Sequence, residues 1–500
     1  MGFTSVQNED PGTGFRWLHH SPRSRATPTR RSSSVVKPTG VDPYLTTVDA
    51  AIRADLIEVL SYVVELDLTD GSGNPSWNTF RSKTKITFTV RRPGETTFVD
   101  VVADKIHLAT LNGSDVEFSS YAPDKGIRIE NLAAENILFI DADLQYTNSG
   151  KGLHKFVDPI DGQTYLYSQF QTTDAKRMYA CFDQPDLKAT FTIRAKVPNH
   201  WEVASNGREN HVERLAESKT IYFETTERIS PYATSLMAGP YHVVRTQHDG
   251  IDLGLWCRKT LSPHLDAEEL FKITTQGLDW YRTNFGTRYA FNKYDQLFVP
   301  EFHTDAMENA SCVTFRERFI FKSKVPDDLY ARRAYTILRE MAHIWFGNLV
   351  MLRWWENSWL NGSFATYAAA LCMENATRWT EAWLVFVDTV KNRVYGQNQL
   401  PPKHPAAADA LDVQTAEINF DVIRYAQGAS VLRQLSAYVG REAFLGAIRE
   451  YFVEHAHGNT TLTDLLRALE HSSGRSLNRW SVQGVARNDR DQWVEPEVHP

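Results

Sequence analysis

The hydrophobic period changes once along this chain of 500 residues, and that change limits the fold more than any single motif. From about Thr46 to Gly239 apolar residues alternate with polar ones, as in Ser61–Leu68, Thr84–Val90 and Ala189–Val197. Strand side chains point to opposite faces in turn, so a period of two marks half-buried strands. Asp70-Gly71, Asn112-Gly113 and Asn206-Gly207 are turn dipeptides suited to joining them. After Gly239-Pro240 a few more strands follow. From about Asp266 the period lengthens, with Leu270, Ile273, Leu278 and Tyr281 at three-to-four spacing. Helices dominate from about Asp328, Ala429–Val439 and Leu462–Leu469 among them. The expected fold class is multidomain. An N-terminal antiparallel β domain (46–240) precedes an α+β, mostly helical domain (241–487), with a polar, proline-punctuated C-terminal tail at 488–500.

Composition narrows the function classes. A net charge of −7 gives no support to a nucleic-acid partner. Cys181, Cys257, Cys312 and Cys372 form no C-x-x-C pair, which predicts free, buried thiols in a reducing compartment. No apolar run approaches the roughly 18–20 residues of a membrane span, so no membrane contact and a cytoplasmic location are expected. Residues 1–45 are expected to be a disordered basic tail, rich in Arg, Ser and Pro over Ser21–Ser34 and without a secretory apolar core.

Several separated stretches then converge. They are Phe182-Asp-Gln-Pro-Asp-Leu-Lys188, Pro300–Asn309 with its Ala306-Met-Glu308-Asn309, Arg339-Glu340-Met-Ala-His343 continuing to Val350, Arg353–Asn361, and Tyr425-Ala-Gln-Gly428. Together, over about 46–485, they resemble the aminopeptidase N-type (gluzincin) zinc metallopeptidases. The resemblance implies a β domain followed by a thermolysin-like catalytic domain. Many members add a large C-terminal helical domain, which this chain is expected to lack, leaving its site more open or closed by another subunit.

Family zinc sites carry His-Glu-x-x-His on one helical face, then a glutamate after eighteen further residues. Here the first ligand position holds Arg339, and the position counted on from His343 is Gly362. Arginine offers only donors, so it cannot replace an imidazole ligand. A catalytic zinc normally takes three protein ligands. Zinc binding is therefore predicted lost, and no cofactor is expected. The charge balance survives, because Arg339 supplies the single positive charge that zinc, two neutral histidines and a carboxylate would sum to.

The resemblance assigns the remaining roles. Glu340 matches the general base, and Tyr425 matches the tyrosine that stabilises the tetrahedral oxyanion. Glu308 matches the glutamate that binds the substrate α-amine, assisted by an element that reads Gln169-Phe170-Gln171 here. Asp305 stands where the family has a glycine, which adds charge and obstructs a docked peptide. His303, Asp305 and His343 form a possible alternative metal set. Arg339 is expected either to grip a ligand carboxylate, phosphate or carbonyl, or to close an internal ion pair with Glu340 or Asp305.

Three functions fit these residues. The favoured one is a metal-independent enzyme with Glu340, Tyr425, Asp305 and Arg339 in the chemistry and Glu308, Gln169, Gln171, His343 and His303 in binding. Its ligand would be a small molecule or short peptide bearing an amine or carboxylate, in specialised metabolism for instance. The others are an inactive pseudopeptidase serving as a scaffold and a peptidase with an unorthodox metal.

Overall fold

The structure, a computed structural model, describes residues 45–355, 358–392, 412–418 and 422–477. The expected tails at 1–45 and 488–500 fall, apart from residue 45, outside the described residues.

The alternating stretches build an eight-stranded sheet. Its order runs Glu209–Arg214, Ser218–Phe223, Thr190–Pro198, Ile57–Asp67, Thr79–Val90, Glu135–Gln145, Lys105–Leu111 and Ser114–Asp115. In Thr79–Val90 every second residue from Phe80 to Val90 is buried, as the period of two requires. The expected antiparallel domain is corrected at one pair. Ile57–Asp67 runs parallel to Thr190–Pro198, with Ser61 opposite Thr190. Parallel neighbours need a long crossover, and here most of the domain lies between the two strands. A second sheet orders Glu202–Ser205, Leu236–Gly239, Thr164–Gln169 and Gly152–Val157.

A five-stranded mixed sheet follows, in the order His242–His248, Ile251–Cys257, Lys293–Val299, Cys312–Arg316 and Ala306–Met307. The short strand Ala306–Met307 is therefore an edge, the position that leaves its far side open. Helix Ala267–Phe285 buries Leu270, Ile273, Leu278 and Tyr281, the residues the longer period selects. It ends on Gly286 at φ +65°, a left-handed cap that suits glycine.

Helix Asp327–Trp345 opens with two aspartates, favourable at the positive end of a helix dipole, and is buried along most of its second half. It packs on helix Ser358–Ala376, which in turn packs on Val422–Val439. One apolar core fills the β region and also takes in Trp256, Leu297, Met307, Trp354 and Trp355. The other surrounds the helices. Buried Lys188 crosses from the first to the second, its Nζ donating to the carbonyls of Asn348 (2.9 Å) and Leu349 (3.1 Å) just past the end of helix Asp327–Trp345. Burial pushes this amine down to about 7.

All four cysteines are buried and unbridged. Among the described residues no helix is long and apolar enough to cross a membrane.

Candidate active site

Residues 339, 340 and 343 lie on neighbouring turns of helix Asp327–Trp345. Glu340 has no exposure, whereas the Arg339 side chain keeps 23%. Arg339 Nη2 stands 2.8 Å from Glu340 Oε1. That approach is off the line of a hydrogen bond, since neither Glu340 oxygen has a hydrogen-bond partner. Burial pushes the Glu340 carboxyl up to about 8, against the pull of Arg339 and helped by Glu308 and, more weakly, Asp305. Burial opposes the Arg339 charge too, but the carboxylates of Glu340 and Glu308 more than offset it. The expected Arg339–Glu340 pair is thus present.

His343 is buried, which lowers its affinity for a proton and keeps the ring neutral. Its Nδ1 lies 2.9 Å from Asn361 Oδ1. That oxygen can only accept, so Nδ1 carries the hydrogen and Nε2 keeps a free lone pair. Asn361 was not among the expected site residues. Its signal was its position eighteen after His343, one short of the missing ligand.

Glu308 follows the edge strand Ala306–Met307. Its carbonyl accepts from Asn348 Nδ2 at 2.8 Å, which ties it to the loop that Lys188 also holds. Its side chain is nearly buried, and its carboxylate makes no hydrogen bond or ion pair with another described residue. Ligand atoms of Glu308, Glu340 and His343 all lie within 4.8 Å of one another.

Two expectations are corrected here. Asp305 does not pair with Arg339. It binds Arg318 and, at 2.9 Å, Arg332. Nor do His303, Asp305 and His343 come together. His303 lies over Gly150, close to His154. Both residues precede the strand that starts at Ala306, so strand alternation does not aim their side chains. Among the described residues the one three-residue cluster able to hold a metal is Glu308, Glu340 and His343.

Gln169 ends strand Thr164–Gln169 and is buried with Oε1 unpartnered. Gln171 is half-buried in the turn beyond it. Neither hydrogen-bonds the Glu308 carboxylate. Tyr425 does reach the site, where its phenol is felt electrostatically by Arg339 and by Tyr232. Its ring also covers the expected third-ligand position. A Cβ built on Gly362 would lie 2.7 Å from Tyr425 Cγ and nearer still to Cδ1 and Cε1.

The family's zinc set does not fit these residues. At 339 there is a guanidinium without a lone pair to donate, and at 362 there is no side chain and a tyrosine ring in its place. Of the three positions only His343, with its free Nε2, has the chemistry of a ligand.

Known proteins resemble the chain along most of its length. The profile described as the Peptidase M1 N-terminal domain matches residues 61–233, and that of the Peptidase family M1 domain matches 270–484. Aminopeptidase N of Streptomyces lividans is 48% identical over 444 residues, 87% of this chain and 51% of the relative. Tricorn protease-interacting factor F2 of Thermoplasma volcanium is 33% identical over 63% of this chain and 40% of its own. Aminopeptidase M1 of Arabidopsis thaliana is 30% identical over 67% and 39%. The chain thus spans about half the length, or less, of the curated relatives it matches.

Proposed function

Because the chain belongs to peptidase family M1, we propose its function from what occupies that family's catalytic positions. In this reading the pocket works without zinc, on a small molecule or short peptide that carries an amine or a carboxylate. The observation that carries it is the Arg339 guanidinium 2.8 Å from Glu340, in the place of a histidine ligand. A fixed cation there opposes a second cation, and the metal's other anchor is Gly362 under Tyr425.

The chain's own groups supply the rest. Glu308, nearly buried and without an ion pair among the described residues, is the seat for an ammonium. Glu340, with its affinity for a proton raised by burial, holds or releases one near neutral pH. Tyr425, whose ring lies against Gly362, is the candidate for stabilising a developing oxyanion. Asp305, clamped by two arginines beside the edge strand, restricts docking of an extended peptide.

Elemental analysis of the purified protein, with an aminoacyl-anilide assay run with and without chelator, tests the reading. The expected result is metal well below one equivalent and no chelator-sensitive turnover. One equivalent of zinc with turnover that a chelator abolishes would overturn it.

A second reading has its own support. Glu308, Glu340 and His343 converge within 4.8 Å, and a relative at 48% identity bears the name aminopeptidase N. On that reading the trio holds a metal in an altered peptidase site. Stoichiometric metal that is lost in both His343→Ala and Glu308→Gln would favour it.

A further inference from the structure

Two side chains of this site carry opposite charges, and neither charged group makes a hydrogen bond to another described residue. The Glu308 carboxylate, in a residue only 5% exposed, has no hydrogen bond or ion pair among the described residues. Arg339 has five N–H donors, and none makes a hydrogen bond to a described residue. Among the described residues its ion contact is with Glu340, and this leaves both Glu340 oxygens without a hydrogen bond. Arg339 and Glu308 do not pair with each other. A charge taken out of water without a hydrogen-bonded partner is unfavourable, so a cation at Glu308 and an anion at Arg339 are each drawn in.

The spacing matches one class of molecule. Ligand atoms of Glu308 and Glu340 lie within 4.8 Å, and Arg339 Nη2 is 2.8 Å from Glu340. The Glu340 carboxyl group thus lies near both anchors and limits the gap between them. An ammonium and a carboxylate borne on the same carbon or on adjacent carbons span such a gap. Arg339 is also the member of its pair that meets solvent, with 23% of its side chain exposed. Its planar fork can take a carboxylate through two parallel N–H···O bonds.

We propose that the molecule bound here is a zwitterion of the free amino-acid class, with its ammonium on Glu308 and its carboxylate on the Arg339 guanidinium. The inference rests on the reading of the pocket as an amine site and narrows it. A peptide presents a neutral amide next to its amine and offers the Arg339 donors no carboxylate, whereas a free amino acid supplies an ammonium for Glu308 and a carboxylate for the Arg339 fork.

The test uses the full chain and three matched probe sets: the free L-amino acids, their carboxamides and their N-acetyl derivatives. Thermal shift locates binders and calorimetry measures their affinities. At least one amino acid should bind about tenfold or more tightly than both its amide and its N-acetyl form. Arg339→Gln should erase the difference between acid and amide, and Glu308→Gln the difference between acid and N-acetyl form. Arg339→Lys, which keeps the charge but not the fork, should retain an intermediate preference for the acid and so separates recognition from misfolding. Amides that bind while no acid binds more tightly than its own amide overturn the zwitterion and leave the amine pocket standing. Failure of every acid and every amide to bind overturns both.

Discussion

Replacing Gly362 by alanine probes whether the third-ligand position is filled by Tyr425. Two effects of opposite sign act at this site. Gly362 lies inside helix Ser358–Ala376, where alanine is favoured over glycine by about 0.5–1 kcal/mol. The added Cβ, however, meets the Tyr425 ring, 2.7 Å from Cγ where carbon contacts settle near about 3.5–4.0 Å. Overpacking of this kind costs about 1–3 kcal/mol, toward the lower end where the ring can swing aside. The single variant should therefore be destabilised by up to about 2 kcal/mol net. In a Tyr425→Ala background the ring is gone, and Gly362→Ala should stabilise by about 0.5–1 kcal/mol. The four proteins of the cycle, compared by urea denaturation midpoint and slope, should give a coupling of about 1–3 kcal/mol. Equal stabilisation by Gly362→Ala in both backgrounds would show that the ring does not cover residue 362. The glycine, with no side chain to coordinate a metal, would then alone exclude a third ligand there.

Other consequences are equally direct. The Glu340 carboxyl is raised from 4.5 to about 8, so the folded state holds its proton over a range in which the unfolded chain has released it. Its contribution to stability is present below about 4.5 and is lost as the pH rises through about 8, so Glu340→Gln should flatten stability against pH over that window; parallel wild-type and variant curves would refute the raised affinity. Asn361→Leu leaves the buried Nδ1–H of His343 without its acceptor, and denaturation should show a loss of about 1–3 kcal/mol. Asp305→Gly removes two partly exposed pairs with Arg318 and Arg332, each worth under about 1 kcal/mol. The difference in melting temperature from wild type should shrink with added salt, and a salt-independent loss would mean Asp305 acts through packing instead.

The sequence by itself determined what is local. Alternation in Thr79–Val90 and three-to-four spacing in Ala267–Phe285 follow from where successive side chains point on a strand or helix, and both stretches formed as read. Counting by the spacing that the family resemblance implies placed Arg339, Glu340, His343 and Gly362, and helix geometry set 339, 340 and 343 on neighbouring turns. The contact of Arg339 with Glu340 was open to the same reasoning, as the two are adjacent in the chain. Tertiary structure decided the rest. Asp305 turned to Arg318 and Arg332, and His303 to Gly150, because residues ahead of a two-residue strand take their direction from whatever packs nearby. The place of Gln169 relative to Glu308 could not be read from spacing, since Gln169 ends a strand of the four-stranded sheet and Glu308 follows the edge strand of another. The convergence of Glu308 on Glu340 and His343, and the Tyr425 ring over Gly362, join segments far apart in the chain. No local period encodes such contacts, which exist only once the edge strand and three helices have packed together.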